Sequence, residues 1–220
     1  MINGIGHCWG YRHWSTPDAS TNIVPVGILI GGEELHNNHH AFPTSARLSS
    51  KWYEFDIGWL YIRALELLGL AKVKHVAPVP QFTAPRPVID PATLQAVVTN
   101  RYDVLARYAA SIRRIYAEEI CKLRRTAPGD AFALETVEPW LNLDERMLRE
   151  PDRARLVGSL LKSHALQTMI AMRRDLMTLW GRSAASREQL VRQLQDWCRR
   201  AEASGIGPLA EFSRQLRSYA

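Results

Sequence analysis

Five prolines at positions 78, 80, 85, 87 and 91, in VAPVPQFTAPRPVIDP, constrain this chain more than any other feature. A proline has no amide hydrogen to donate and its ring collides with the preceding turn, so no helix can run through this stretch. Residues 77–90 therefore read as an extended, partly polyproline linker. Composition changes across it. The part before is rich in Gly, His, Trp and Asn, and the part after in Arg, Ala, Leu and Gln. Two units are expected, residues 1–76 and residues 91–220, in a chain that is mainly α.

Beyond the linker, Asp90 can cap a helix whose first residue is Pro91. Leu94, Val98, Leu105, Tyr108, Ile112 and Ile115 follow at helical spacing, which predicts one long amphipathic helix ending near the TAPGD turn at 126–130. A second helix is expected over Asp152 to Trp180. Ser186 and Gln189 form a capping-box pattern that opens a third, with Gly205 placed to end it after Ala203. A short last helix is expected from Pro208 to Tyr219. Together they predict a small antiparallel helical bundle.

With 220 residues, 46% of them hydrophobic, the chain can bury a core of one large or two small domains. Its net charge of +6 favours an acidic partner, whether nucleic acid, an anionic membrane surface or a phosphorylated molecule such as coenzyme A. Cys8, Cys121 and Cys198 are odd in number and far apart, which argues against a disulfide framework. There is no apolar run of about 18 residues. The longest apolar stretch, Ile23 to Ile30, is interrupted by Pro25 and Gly27, so no transmembrane helix is expected. The amino terminus lacks the basic and apolar blocks of a signal peptide, and the chain is expected to begin within a longer protein.

The residues that carry chemistry are in GGEELHNNHHAFP, 31–43. His36, His39 and His40 stand at i, i+3 and i+4, so on a helix their imidazoles leave from one face and can converge on a metal. Imidazole suits iron or zinc, and the absence of Cys or Asp from the cluster argues against a zinc finger or a calcium site. Asn3 and His7, four residues apart, form a second source of ligands if the chain turns back. Glu33 and Glu34 precede the box and could orient a ligating ring by accepting its free N–H. His13, His75 and His164 are isolated and read as ordinary histidines.

NGIGHCWGYR (3–12), DASTNIVP (18–25), HNNHHAFP (36–43) and KWYEFDIGWLYIRALELLGLA (51–71) together resemble, in order and spacing, the last part of the stearoyl-CoA-type membrane fatty-acid desaturases. The resemblance covers about 75 residues. It implies that His7, His36, His39 and His40 are ligands of a non-haem di-iron centre, with Asn3 approaching one metal through a water. It also implies a fatty acyl-CoA or acyl-lipid substrate, O2, and an electron carrier of the ferredoxin, rubredoxin or cytochrome b5 type. The expected location is the cytoplasmic face of a bacterial inner membrane. The family needs two further histidine boxes and membrane helices upstream, so this chain is expected to be a carboxy-terminal portion, inactive without an amino-terminal half. Related hydroxylases share such ligands, but AFP after the box and the WYEFD segment resemble the desaturases.

Residues 193–220 resemble the cytoplasmic tail of long proteobacterial desaturases, and also the ending of some insertion-sequence transposases. The alternative is therefore a helical DNA- or protein-binding module. Arg113, Arg114, Arg124, Arg125, Arg199 and Arg200 would supply its charge. Without helix-turn-helix spacing or a basic strand interleaved with aromatics, nucleic acid is not expected as a partner.

Overall fold

The carboxylate of Asp90 accepts the Thr93 amide at 2.7 Å with Pro91 following, and this start signal opens the first helix of the second half. The computed structural model describes residues 2–126, 151, 163–181 and 185–220. It is mainly helical, and among the described residues no helix is long and apolar enough to cross a membrane. The described residues fall into two units, one running to Pro78 and the other from Val79.

The first unit contains α1 (Ile2–Ile5), a 3₁₀ turn at Glu33–Leu35, α2 (His36–Ala41) and α3 (Ile57–Leu67). Two residues of β1 (Val26–Gly27) pair in parallel with β2 (Phe55–Asp56), and Tyr11 bridges Asn22 antiparallel. The rest is loop. Gly10 permits the bridge, because its φ is +133° and a Cβ there would stand 2.1 Å from the Asn22 carbonyl oxygen. Asp56 caps α3 by accepting the Trp59 amide, and its other oxygen accepts the amides of Leu48 and Ser49.

The interior of this unit is polar and much of its outside is apolar. Asn22, Asn37, Asn38, Glu54 and Asp56 are buried, whereas Leu29 and Trp52 are about nine-tenths exposed. α3 buries no residue at all. Buried polar groups persist only when hydrogen bonded, and those of this unit cross-link its loops in place of a hydrophobic core.

The second unit packs α4 (Pro91–Thr99), α5 (Arg101–Thr126), α6 (His164–Thr178), α7 (Arg187–Ala203) and α8 (Gly207–Leu216) around one apolar core. Tyr108, Trp197 and Phe212 meet edge to face at its centre, with centroids 5.2 to 6.2 Å apart. The Tyr108 hydroxyl donates to the Met169 carbonyl and the Trp197 indole N–H to that of Met172, so both polar tips are satisfied without leaving the core.

Four details differ from the sequence reading or refine it. The long helix expected from Pro91 is two helices, because Asn100 turns its side-chain amide back onto the Ala96 carbonyl and ends α4. Of the second expected helix, residues 164–178 are helical, while 152–162, like the turn at 127–130, lie outside the described residues. The capping box at Ser186 and Gln189 is present, and Gly205 follows α7 with φ +71°. The last helix ends at Leu216, and Tyr219 instead pairs with Phe82.

That pairing gives the proline-rich run a partner. Thr83 and Arg86 donate their amides to the carbonyls of Ser218 and Arg217, and Ala220 donates to Gln81. The Arg217 guanidinium donates to the Pro87 carbonyl, and Ile89 is buried with its amide on Gln195. The run is extended, as prolines require, with residues 81–87 tied to the end of the chain and Ile89 to α7. Arg114, Arg199 and Arg200, counted above as possible nucleic-acid contacts, each pair with a carboxylate, on Glu118, Asp196 and Asp175.

Candidate metal centre

α2 is short, but its periodicity sorts the sequence HNNHH into two faces. Asn37 and Asn38 point into the polar interior. The Asn37 carbonyl oxygen accepts the amides of His13 and Trp14, and its amide group donates to the Trp14 carbonyl and to the Thr16 and Ser20 hydroxyls. Asn38 exchanges hydrogen bonds with Asn22 and donates to Glu54 at 2.9 Å. These bonds leave the helix little freedom to rotate, so the histidines on the other face are held in place.

His36 and His40 come from that face, and His7 joins them from the turn after α1. The Nε2 atoms of His7 and His36 are 3.3 Å apart, and the ligand atoms of His7, His36 and His40 all lie within 4.8 Å of one another. His36 is buried and the other two half-buried. His39 stands beside the trio, its ring centroid 6.4 Å from that of His36 and 6.0 Å from that of His40. Asn3 belongs to α1, but its side chain lies outside the described residues. The helix ends at Ile5, so His7 reaches the trio from a turn.

The arrangement fits a metal. Two nitrogens each about 2.05 Å from one tetrahedral ion stand roughly 3.3 Å apart, which is the separation of the His7 and His36 nitrogens. No two ligands of one such ion can be farther apart than about 4.2 Å, so the trio closes on an ion with a small ring rotation. Burial and the neighbouring His40 and His7 rings push the His36 pKa down, against the pull of Glu33. A neutral imidazole is the form that binds a metal.

Carboxylates stand behind two of the rings. Asp18 Oδ2 is 2.7 Å from His40 Nδ1, and Glu33 is 3.5 Å from His36 Nδ1, a contact too long for a hydrogen bond. Glu34, expected with Glu33 behind the box, instead accepts the amides of Leu29 and Ile30. Burial alone would raise the Asp18 pKa, but the hydrogen bonds from Ser20, His40 and Thr16 hold it well below the usual carboxylate range. The loop that carries Asp18 wraps around Arg12, whose guanidinium donates to the carbonyls of Thr16, Asp18 and Ser20.

A buried carboxylate, Glu54, organises the opposite side. Glu54 accepts from Tyr11, Asn38, Ser50 and Lys51, and lies 3.1 Å from His13 Nε2. Burial raises its pKa, yet its bonds with His13, Ser50, Lys51 and Asn38 lower it to about 2. The sequence reading missed Arg12, Asp18 and Glu54 as supports of the site, and the two asparagines inside the box were the available signal for its inner face. His13 is satisfied by Glu54 and Tyr53, and His164 is exposed.

No family model and no solved structure matches this chain. Among curated proteins it is 46% identical to the delta-9 acyl-lipid desaturase 1 of Arabidopsis thaliana over 71 residues, 32% of this chain and 23% of that one. It is 50% identical over 70 residues to the icosanoyl-CoA 5-desaturase of Limnanthes douglasii, covering 20% of it. It is 48% identical over 71 residues to the acyl-CoA C20 Delta5-desaturase of Anemone leveillei, covering 23%. Over about a third of its length, then, the chain is similar to fatty-acid desaturases, and it spans less than a quarter of theirs.

Proposed function

We propose that this chain is the carboxy-terminal portion of a bacterial membrane desaturase of the stearoyl-CoA type, supplying one side of its non-haem di-iron centre. The observation that carries this reading is the convergence of His7, His36 and His40, with His7 and His36 29 positions apart, in a chain similar to desaturases over 71 residues. His39, next to the trio, would serve the second iron, and Asn3 would approach one metal through a water. When bound, the iron supplies the oxidising power that removes two hydrogens from an acyl chain, with electrons from a ferredoxin, rubredoxin or cytochrome b5 type carrier. The residues of this chain would hold and orient the metal through their imidazoles, while the asparagine and Glu54 network keeps the interior of the unit closed.

Four histidines are too few for two irons, and a fatty acyl-CoA or acyl-lipid chain needs an apolar tunnel that this polar interior does not provide. The apolar outside of the first unit, with Trp9, Leu29, Trp52, Leu67 and Leu70 exposed, supports a location against further desaturase segments at the cytoplasmic face of the inner membrane. Two segments, each with part of the ligands, should work only together.

The test is complementation. Co-expression with an amino-terminal desaturase segment carrying the two missing boxes is expected to produce unsaturated lipid, and His39→Ala should abolish it. Double-bond formation by the isolated 220-residue chain with iron, O2 and a reductase system would overturn the reading.

A further inference from the structure

We propose that Asp18, held by an Arg12-centred loop, is a positioning residue that fixes the tautomer of His40 and so selects the nitrogen offered to metal. The proposal rests on the metal-site reading above. Its geometric basis is a carboxylate oxygen 2.7 Å from His40 Nδ1. An ionised carboxylate only accepts, so Nδ1 must carry the proton and Nε2 becomes the sole lone pair of the neutral ring. His7 and His36 already face each other through Nε2, at 3.3 Å. With the Nε2 lone pair of His40 free as well, all three rings can offer the same kind of nitrogen to an ion.

The carboxylate is itself immobilised. Asp18 Oδ1 accepts the Ser20 amide at 3.0 Å and the Thr16 hydroxyl at 2.9 Å, leaving Oδ2 for the imidazole. Arg12 holds the surrounding backbone by donating to the carbonyls of Asp18 and Ser20, both at 2.8 Å, and to the hydroxyl and carbonyl of Thr16. Asn37 joins this loop to α2 through the same Thr16 and Ser20 hydroxyls. The helix that carries His40 and the loop that carries Asp18 therefore share one hydrogen-bonded frame, so the distance between ring and carboxylate is set before any metal arrives. A ligand whose second nitrogen is anchored to a carboxylate is more basic and better aimed, and losing such an anchor typically weakens metal binding about 10- to 100-fold.

Two readouts test this on the full chain. In the metal-free protein, long-range ¹⁵N–¹H spectra should show neutral His40 protonated at Nδ1. In Asp18→Ala that ring should move toward the Nε2–H form preferred by free imidazole, while Asp18→Asn, which keeps an oxygen acceptor, should retain Nδ1–H. Cobalt(II), followed by its visible absorption, should bind about 10- to 100-fold more weakly to Asp18→Ala than to the wild type, with partial recovery in Asp18→Asn. The tautomer of the wild-type protein needs no variant, so a misfolded Asp18→Ala would leave the claim open to refutation. An Nε2–H tautomer for His40 in the wild type, or unchanged cobalt affinity in Asp18→Ala beside cobalt loss in His36→Ala and His40→Ala, would overturn the role of Asp18 alone. Unchanged cobalt binding in His36→Ala and His40→Ala would overturn the metal site itself.

Discussion

Replacing Glu54 by alanine should bring the first unit to marginal stability and spare the second. The side chain is fully enclosed and accepts from Tyr11, Asn22, Asn38, Ser50 and Lys51, besides its contact with His13. Its pKa falls from the usual 4.5 to about 2. Each tenfold change in proton affinity is worth about 1.4 kcal/mol, so the ionised form contributes about 3 kcal/mol to folding. Stranding one buried donor costs about 1–3 kcal/mol, and the alanine variant strands several, so a loss of at least about 3 kcal/mol is expected. A unit with a stability near the ordinary lower limit of about 5 kcal/mol would be left marginal. Because the folded pKa is depressed, the contribution is complete above pH 4.5 and disappears as pH falls through about 2. Amide hydrogen exchange at neutral pH reads this directly, with the helical unit as internal control. Protection between Tyr11 and Asp56 should collapse in Glu54→Ala while amides of α5 and α7 keep theirs. The wild type should show the same selective loss on acidification between pH 4.5 and 2. Unchanged protection in the first unit, or equal loss in both, would refute the reasoning.

Trp197→Ala should destabilise the helical unit by about 3–5 kcal/mol, since it empties the centre of the core and strands the Met172 carbonyl, and thermal unfolding followed by near-ultraviolet circular dichroism measures it. Removing residues 217–220 should free the proline-rich run, because Gln81, Thr83 and Arg86 lose their backbone partners. Chymotryptic cleavage after Phe82 is then expected to accelerate by about tenfold or more, each lost hydrogen bond contributing about 1 kcal/mol to local closure.

The sequence showed the parts of this molecule that depend on local spacing. Capping at Asp90 and Ser186, and the placing of His36 and His40 on one face, follow from separations of three and four residues on a helix. The prolines ruled out a helix over residues 78–90. They could not show that residues 81–87 pair with the end of the chain, because that partner lies some 130 positions away. The break at Asn100 was hidden by an apolar pattern that continues across it. For the site, His7 was legible as a ligand group, but its approach to α2 depends on the bridge between Tyr11 and Asn22, a tertiary contact. Asp18 and Glu54 were lone carboxylates in the sequence, and only folding surrounds each with donors. Arg12 looked like one of many basic residues until its loop closed around it.

X-ray absorption on the zinc-loaded full chain reports which atoms surround a bound ion. About three imidazole nitrogens are expected at roughly 2.0–2.1 Å from one zinc per chain, a shell lost when His7 and His36 are both replaced by alanine. A shell of oxygens alone, or an imidazole shell that survives that double replacement, would contradict the metal-site reading.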